Sequence, residues 1–178
     1  MTKQKTVSTL QINSTPQKDS LTYLLDILKM EIESINAIIA RMDEITQTTK
    51  NWAIVTWAGS VALALTESSL RAYISLTAVL PLIFWYIDGH WRHLQGRSIY
   101  RMNKIHEFLN SESFQQSFVQ NRLIDFKVLD PIGRQYLSDI NYKKAVSIRR
   151  TQMYASVIVF YFALVFISIG LGLLFHYR

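Results

Sequence analysis

The 178-residue chain has no cysteine. Disulfides and thiolate metal sites are therefore excluded. Glycine is scarce, six residues in all, and none builds a Gly-rich phosphate loop. No Ser–His–Asp order suggests itself, and no paired carboxylates fall in a plausible cleft. The chain is accordingly not expected to be an enzyme, and no catalytic residue, metal ligand set or cofactor is expected. The first twenty residues, MTKQKTVSTLQINSTPQKDS, are polar and lack the apolar core of a cleavable signal peptide. The first apolar block is then expected to act as an uncleaved anchor. Charge is absent from residues 153–175, a run of 23 without Lys, Arg, Asp or Glu.

Apolar residues are abundant: 49% of the chain is hydrophobic and 12% aromatic, which excludes disorder as the general state. They gather in three blocks, 51–64, 73–87 and 153–175. Each block is apolar around the whole helix, where a soluble core helix would carry a stripe. The net charge of +6 is also localised. Residues 1–50 hold six Lys/Arg against six Asp/Glu, and residues 89–151 hold eleven against five. A basic chain raises nucleic acid as a partner, but the positive-inside bias of membrane proteins explains this surplus more simply.

Five regions follow. Residues 1–14 read as a disordered N-terminus. Residues 15–48 read as an amphipathic heptad helix, with Thr15 as N-cap and Pro16 at the first helical position. Leu21, Leu28, Ile35 and Met42 hold one heptad position, and Leu24, Glu31, Ile38 and Ile45 the next. Leu21, Leu28, Ile35, Ile38, Met42 and Ile45 are candidate oligomerisation residues. Packing of the same stripe on the chain's own basic segment is the alternative. Glu31 breaks the seam and is a candidate for setting register or oligomer state.

Residues 49–88 read as a transmembrane hairpin. Its first span, 51–65, is short against the ~20 residues a bilayer core needs. Residues 66–72 are expected to form a tight hairpin carrying Glu67 and Arg71. The second span, 73–87, contains Pro81, expected to kink it. Trp85, Tyr86 and Trp91 read as an aromatic belt. Beyond Asp88 the helix is expected to continue into the cytoplasm as an amphipathic rod, opening the basic segment 89–151. Within that segment 111–122 reads as a short helix, and 125–136 as an extended piece or small strand with a turn at Asp130-Pro131 followed by Gly133. Residues 152–178 read as a third transmembrane helix and short tail, with Ser168, Gly170 and Gly172 suited to close helix contact. The fold class expected is an all-α, multi-pass integral membrane protein of the cell membrane, with three spans and a cytoplasmic N-terminus.

Several constellations bear on function. Thr56, Ser60 and Glu67 share one face of the first span, with Leu63 between. They line a pore, or they are packing residues whose hydroxyls bond their own backbone. Arg92, Arg97, Arg101 and Lys104 are candidates for binding an anion or an activator. Arg101 and His106 match the R-x4-H spacing of HEPN-type ribonucleases, a weak pattern in a basic chain. His90 and His93 with Asp88 offer a partial zinc set, read more simply as interfacial residues.

The stretch NWAIVTWAGSVALAL, a short hairpin and FWYIDGHWRHLQGRSIYR together resemble the small helical membrane proteins of prokaryotic conflict systems, of SLATT-like type. The resemblance covers roughly residues 32–109. It implies a pore-forming effector, in antiviral defence, that responds to a nucleotide or oligonucleotide signal. The function expected is an oligomeric membrane effector that forms or gates an ion-conducting path. Its partners would be the lipid bilayer, further copies of itself, and a cytoplasmic protein or an anionic nucleotide-type activator. A non-conducting scaffold that recruits a partner through the heptad helix or basic segment is the alternative, and a membrane-bound HEPN-like ribonuclease the third reading.

Overall fold

The computed structural model describes residues 16–176. The stretch 1–14, the Thr15 cap and the last two residues lie outside the described residues. Among the described residues every regular element is helical. The strand expected as one option within 125–136 does not form.

The first element, α1 (Pro16–Thr66), is one helix of 51 residues, so heptad helix and first apolar block are continuous. Nothing in the sequence stops it, because no Gly or Pro occurs between Pro16 and Gly59. The polar step at its middle stays helical because Thr46 and Thr49 fold their hydroxyls back onto the carbonyls of Asp43 and Ile45, at 2.9 and 2.8 Å. The expected tight hairpin is replaced by an eleven-residue 3-10 helix, Ser68–Ala78. Only Glu67 leaves helical space, in extended backbone. The helix α2 (Val79–Leu109) follows directly. Pro81 is therefore in the first turn of α2, just after the change from 3-10 to α winding, a position where proline is tolerated. As anticipated, α2 runs through Asp88 and Gly89 without a break.

Four short helical pieces form the return. They are α3 (Glu112–Gln120), a 3-10 turn at Arg134–Tyr136, α4 (Ile140–Ala145) and α5 (Ile148–Gln152). Ser111 caps α3 through the Phe114 N–H. The turn at Asp130-Pro131 closes with Gly133 N–H donating to the Asp130 carbonyl at 2.9 Å, and Gly133 has the left-handed φ of 67° that suits glycine. The last element is α6 (Ala155–His176).

Three clusters order the molecule along its length. At one end Leu28 and Ile35 of α1 pack on Met102, Ile105 and Phe108 of α2, with Phe114, Phe126 and Val128 closing over them. In the middle Ala53 meets Val157 and Tyr161, flanked by Phe84 and Trp85. At the far end Val61 and Ala64 meet Ile74, with Leu171 and Phe175 beside them. So α1 runs from the first cluster to the third, α2 runs back, and α6 runs out again. Leu21, Leu28 and Ile35, expected to face another copy, are buried within the chain, and Ile38, Met42 and Ile45 are half-buried. Their heptad spacing matches the long α2 as well as it would match a second copy.

Two helical stretches, Ser68–Leu109 and Ile140–Phe175, are long and apolar enough to cross a membrane. The block 51–65 is not one of them; Lys50 and Asn51 cut its apolar run short. Of the three small residues in α6, Ser168 and Gly172 make close contacts and Gly170 faces open space. A Cβ at 172 would stand 2.7 Å from Ser75 Cβ. Gly172→Leu is therefore expected to wedge α6 off the 3-10 helix and cost about 1–3 kcal/mol. The check is a thermal melt in detergent, with Gly170→Leu as a control that changes little.

Candidate functional site

Asp88 sits where α1, α2 and α6 meet, between the middle cluster and the polar end, and it is fully buried. Its surroundings are built by close contacts. Gly89 is small enough for the Gln152 side chain to lie against its Cα, where a Cβ would collide. Trp85, expected in an outward aromatic belt, turns inward, donating from Nε1 to the Gln152 carbonyl at 3.2 Å and meeting Phe162 edge-on at 5.9 Å. Thr151 donates to the Ile148 carbonyl at 2.9 Å and approaches the Gly89 carbonyl at 3.4 Å. These contacts fix the α5–α6 junction to one turn of α2 and enclose Asp88.

The nearest charge to Asp88 is Arg92, with Nε 3.6 Å from Oδ1, beyond hydrogen-bond length. Lys50 adds a second positive charge to the field at the carboxylate. Among the described residues neither Asp88 oxygen makes a hydrogen bond of full geometry, and the Tyr161 hydroxyl, its hydrogen-bonding neighbour across the α2–α6 contact, is likewise unsatisfied. A buried carboxylate in this condition is costly, because neither pairing nor hydrogen bonding fully offsets its lost hydration. The sequence reading used Asp88 as an exit marker and a zinc candidate and missed its burial. The available signal was one acid between an apolar block and a basic one. Among the described residues no group of three or more His, Asp or Glu is placed to hold a metal ion.

The row Arg92, Arg97, Arg101 and Lys104 does not form the free basic face expected of it. Arg92 leans on Asp88, Arg97 contacts His93 Nε2 at 3.2 Å, and Lys104 pairs with Glu107 at 2.6 Å. Arg101 is 0% exposed. Its Nε and NH2 donate to the two oxygens of Glu31 at 2.8 and 3.2 Å, NH1 donates to the Tyr136 hydroxyl at 2.8 Å, and NH2 also donates to the Lys127 carbonyl at 2.6 Å. Glu31 in turn accepts the N–H groups of Leu129 at 2.8 Å and Asp130 at 3.1 Å. The break in the heptad is thus one half of an internal ion pair. That pair also undoes the R-x4-H arrangement, because Arg101 is enclosed while His106 is exposed. Five residues turn a helix by roughly 140°, so the two side chains diverge.

The stripe on α1 is divided. Thr56 and Ser60 are half-buried, and Leu63 and Glu67 are exposed. Ser60 donates to the Thr56 carbonyl at 2.8 Å, as a packing residue does. Ser60 and Leu63 also line an open cleft of about 310 Å³ with Tyr73, Leu76 and Thr77. The polar contacts that link elements lie beside this cleft. Trp57 Nε1 donates to Ser168 Oγ at 2.7 Å, and Thr77 donates to the same oxygen at 3.1 Å. Sequence reasoning placed Ser168 only in a small-residue patch. No protein-family model, no curated protein and no solved structure matches the chain.

Proposed function

We propose that the chain is a multi-pass membrane effector whose oligomer forms or gates an ion-conducting path. The observation that carries this reading is Asp88, a fully buried acid with only an incomplete set of partners, Arg92 at 3.6 Å and the Tyr161 hydroxyl, at the end of the apolar part of the three-helix contact. A buried ionisable group at the edge of a span, facing the helix bundle, is by default a functional-site candidate.

The dimensions support a bilayer. At 1.5 Å per residue, residues 49–66 of α1 cover ~27 Å and α6 ~33 Å, close to a ~30 Å hydrocarbon core. The 3-10 helix matters for the middle span. Its rise of ~2.0 Å per residue lets residues 70–87 cover ~31 Å, which the same residues in α-helix would not. Val55, Leu76, Ile83, Val159, Phe166 and Leu173 are exposed around this part of the molecule, an apolar girdle that water would not tolerate. The surplus of Lys and Arg in 89–151 supports a cytoplasmic position for that segment and, with it, for the polar half of α1, by the positive-inside bias. The likeness to SLATT-like effectors points the same way. Residues 51–65 would then be a first span, held beside the other two by the Trp57–Ser168–Thr77 contacts.

Membrane potential in bacteria induced for this protein alone tests the reading. The wild type is expected to depolarise the cells, and Thr56→Leu/Ser60→Leu to reduce that by at least about ten-fold if the α1 face lines the path. Depolarisation unchanged in the double variant moves the path off this face. A potential untouched by the wild type favours the scaffold reading. The exposed Phe118 and Val119 on α3 are then the docking candidates, because the heptad face is already covered.

A further inference from the structure

We propose that α4 and α5 carry a binding site for the phosphate of an anionic phospholipid, formed by Lys143, Lys144, Arg149 and Arg150. These four line an open groove of about 500 Å³ together with Ser147, with Ile140 and Met153 at its rim. Among the described residues none of the four meets a carboxylate. On α2, by contrast, Arg92, Arg101 and Lys104 each stand within 4 Å of a carboxylate of the chain.

The local fold makes the groove unipolar. The nearest acid in sequence, Asp139, is turned away from it. Asp139 accepts the Asn141 N–H at 2.8 Å, capping α4, and the Tyr100 hydroxyl at 3.0 Å. Those two bonds hold its carboxyl below the usual carboxylate range, so it stays ionised and directed at α2. Gly89 and Thr151 pin α5 against α2, so Arg149 and Arg150 are presented just ahead of α6.

The apolar rim selects a lipid over a soluble phosphate. Ile140 is 68% and Met153 61% exposed, and Ile148 is exposed between them. Cations, a hydroxyl and exposed aliphatic side chains at the foot of an apolar helix match the headgroup layer of a membrane. A soluble nucleotide would give those aliphatic groups nothing to touch. The site rests on the membrane placement proposed above and is independent of ion conduction.

The test uses the full chain in nanodiscs of phosphatidylcholine mixed with phosphatidylglycerol, with the retained lipids counted by native mass spectrometry. The wild type is expected to retain phosphatidylglycerol preferentially. K143Q/K144Q/R149Q/R150Q is expected to lose at least about ten-fold of that preference, given the worth of each cation near an anionic surface. K143R/K144R keeps it, as does the control K127Q/R134Q outside the groove. Should the quadruple variant fail to fold, K143Q/K144Q and R149Q/R150Q separately each lose part of the preference. Equal retention of both lipids by the wild type, or full preference in the variants, overturns the site. Complete competition by inorganic phosphate assigns it to a soluble anion and overturns the lipid. Flotation with pure phosphatidylcholine vesicles separates the two readings. A chain that floats without preference loses this site alone, and one that does not float loses the membrane placement and the site with it.

Discussion

Arg101→Ala is expected to lower the unfolding free energy by about 3–5 kcal/mol, the largest effect of any single substitution in the polar half of the molecule. The guanidinium is fully buried, joins α1 to α2 through both Glu31 oxygens, and reaches Tyr136 and the Lys127 carbonyl in the return segment. It also lies over the Phe126 ring at 4.6 Å. Removal leaves the Glu31 charge enclosed without its counter-ion. Glu31→Ala is expected to be comparably severe, for a second reason. Glu31 holds the N–H groups of Leu129 and Asp130, and Leu129 has a left-handed φ of 69°, a conformation a leucine does not keep unaided. Arg101→Lys rescues little, because an ammonium has neither the two-pronged geometry nor enough donors for four partners. A double variant with Leu at 31 and Met at 101 is expected to recover part of the loss, since apolar pairs of similar volume replace buried ion pairs well. Thermal and denaturant unfolding of the detergent-solubilised chain measure all four. If Arg101→Ala melts with the wild type, the pair is incidental and the return segment is held by its aromatic contacts alone.

That pair also marks the limit of what the sequence discloses. The heptad was legible, and Leu28 and Ile35 do lie in a helical seam. The partner of the seam was not, because a heptad states which face is apolar and not whose surface covers it. Glu31 was visible as a break, but Arg101 lies seventy residues further on, and no local pattern connects them. The passage of α2 through Asp88 into a basic rod was legible because nothing between Ile87 and Trp91 can stop a helix. The 3-10 helix was not. Ser68–Ala78 has neither the Gly nor the Pro that announces a turn, and the contacts of Ile74 with α1 and of Ser75 with α6 are long-range. The candidate site fared in the same way. Charged residues at the edge of the apolar block could be listed from the sequence, but which of them were free could not. Arg101 and Lys104 have carboxylate partners, whereas among the described residues Lys143, Lys144, Arg149 and Arg150 have none.

Asp88→Asn is expected to raise stability by about 1–3 kcal/mol and to abolish depolarisation. The two effects have one cause. A buried carboxylate costs several kcal/mol in desolvation, and an Arg92 contact of 3.6 Å with no hydrogen bond offsets only part of it. Asparagine keeps the size and the polar atoms and removes the charge. Arg92, whose side chain is 19% exposed, can then turn to water. A structural ion pair would give the opposite sign, since losing one member leaves the other uncompensated. A gain in stability would mean that folding alone draws nothing from the acid, the pattern of a residue kept for function at the expense of stability. Asp88→Glu is expected to retain conduction in part, because it keeps the charge and shifts it by one methylene. Denaturant unfolding beside the membrane-potential assay reads both quantities on the same proteins. A destabilised Asp88→Asn that still depolarises cells would assign Asp88 to the architecture of the α2–α6 contact and remove it from the ion path.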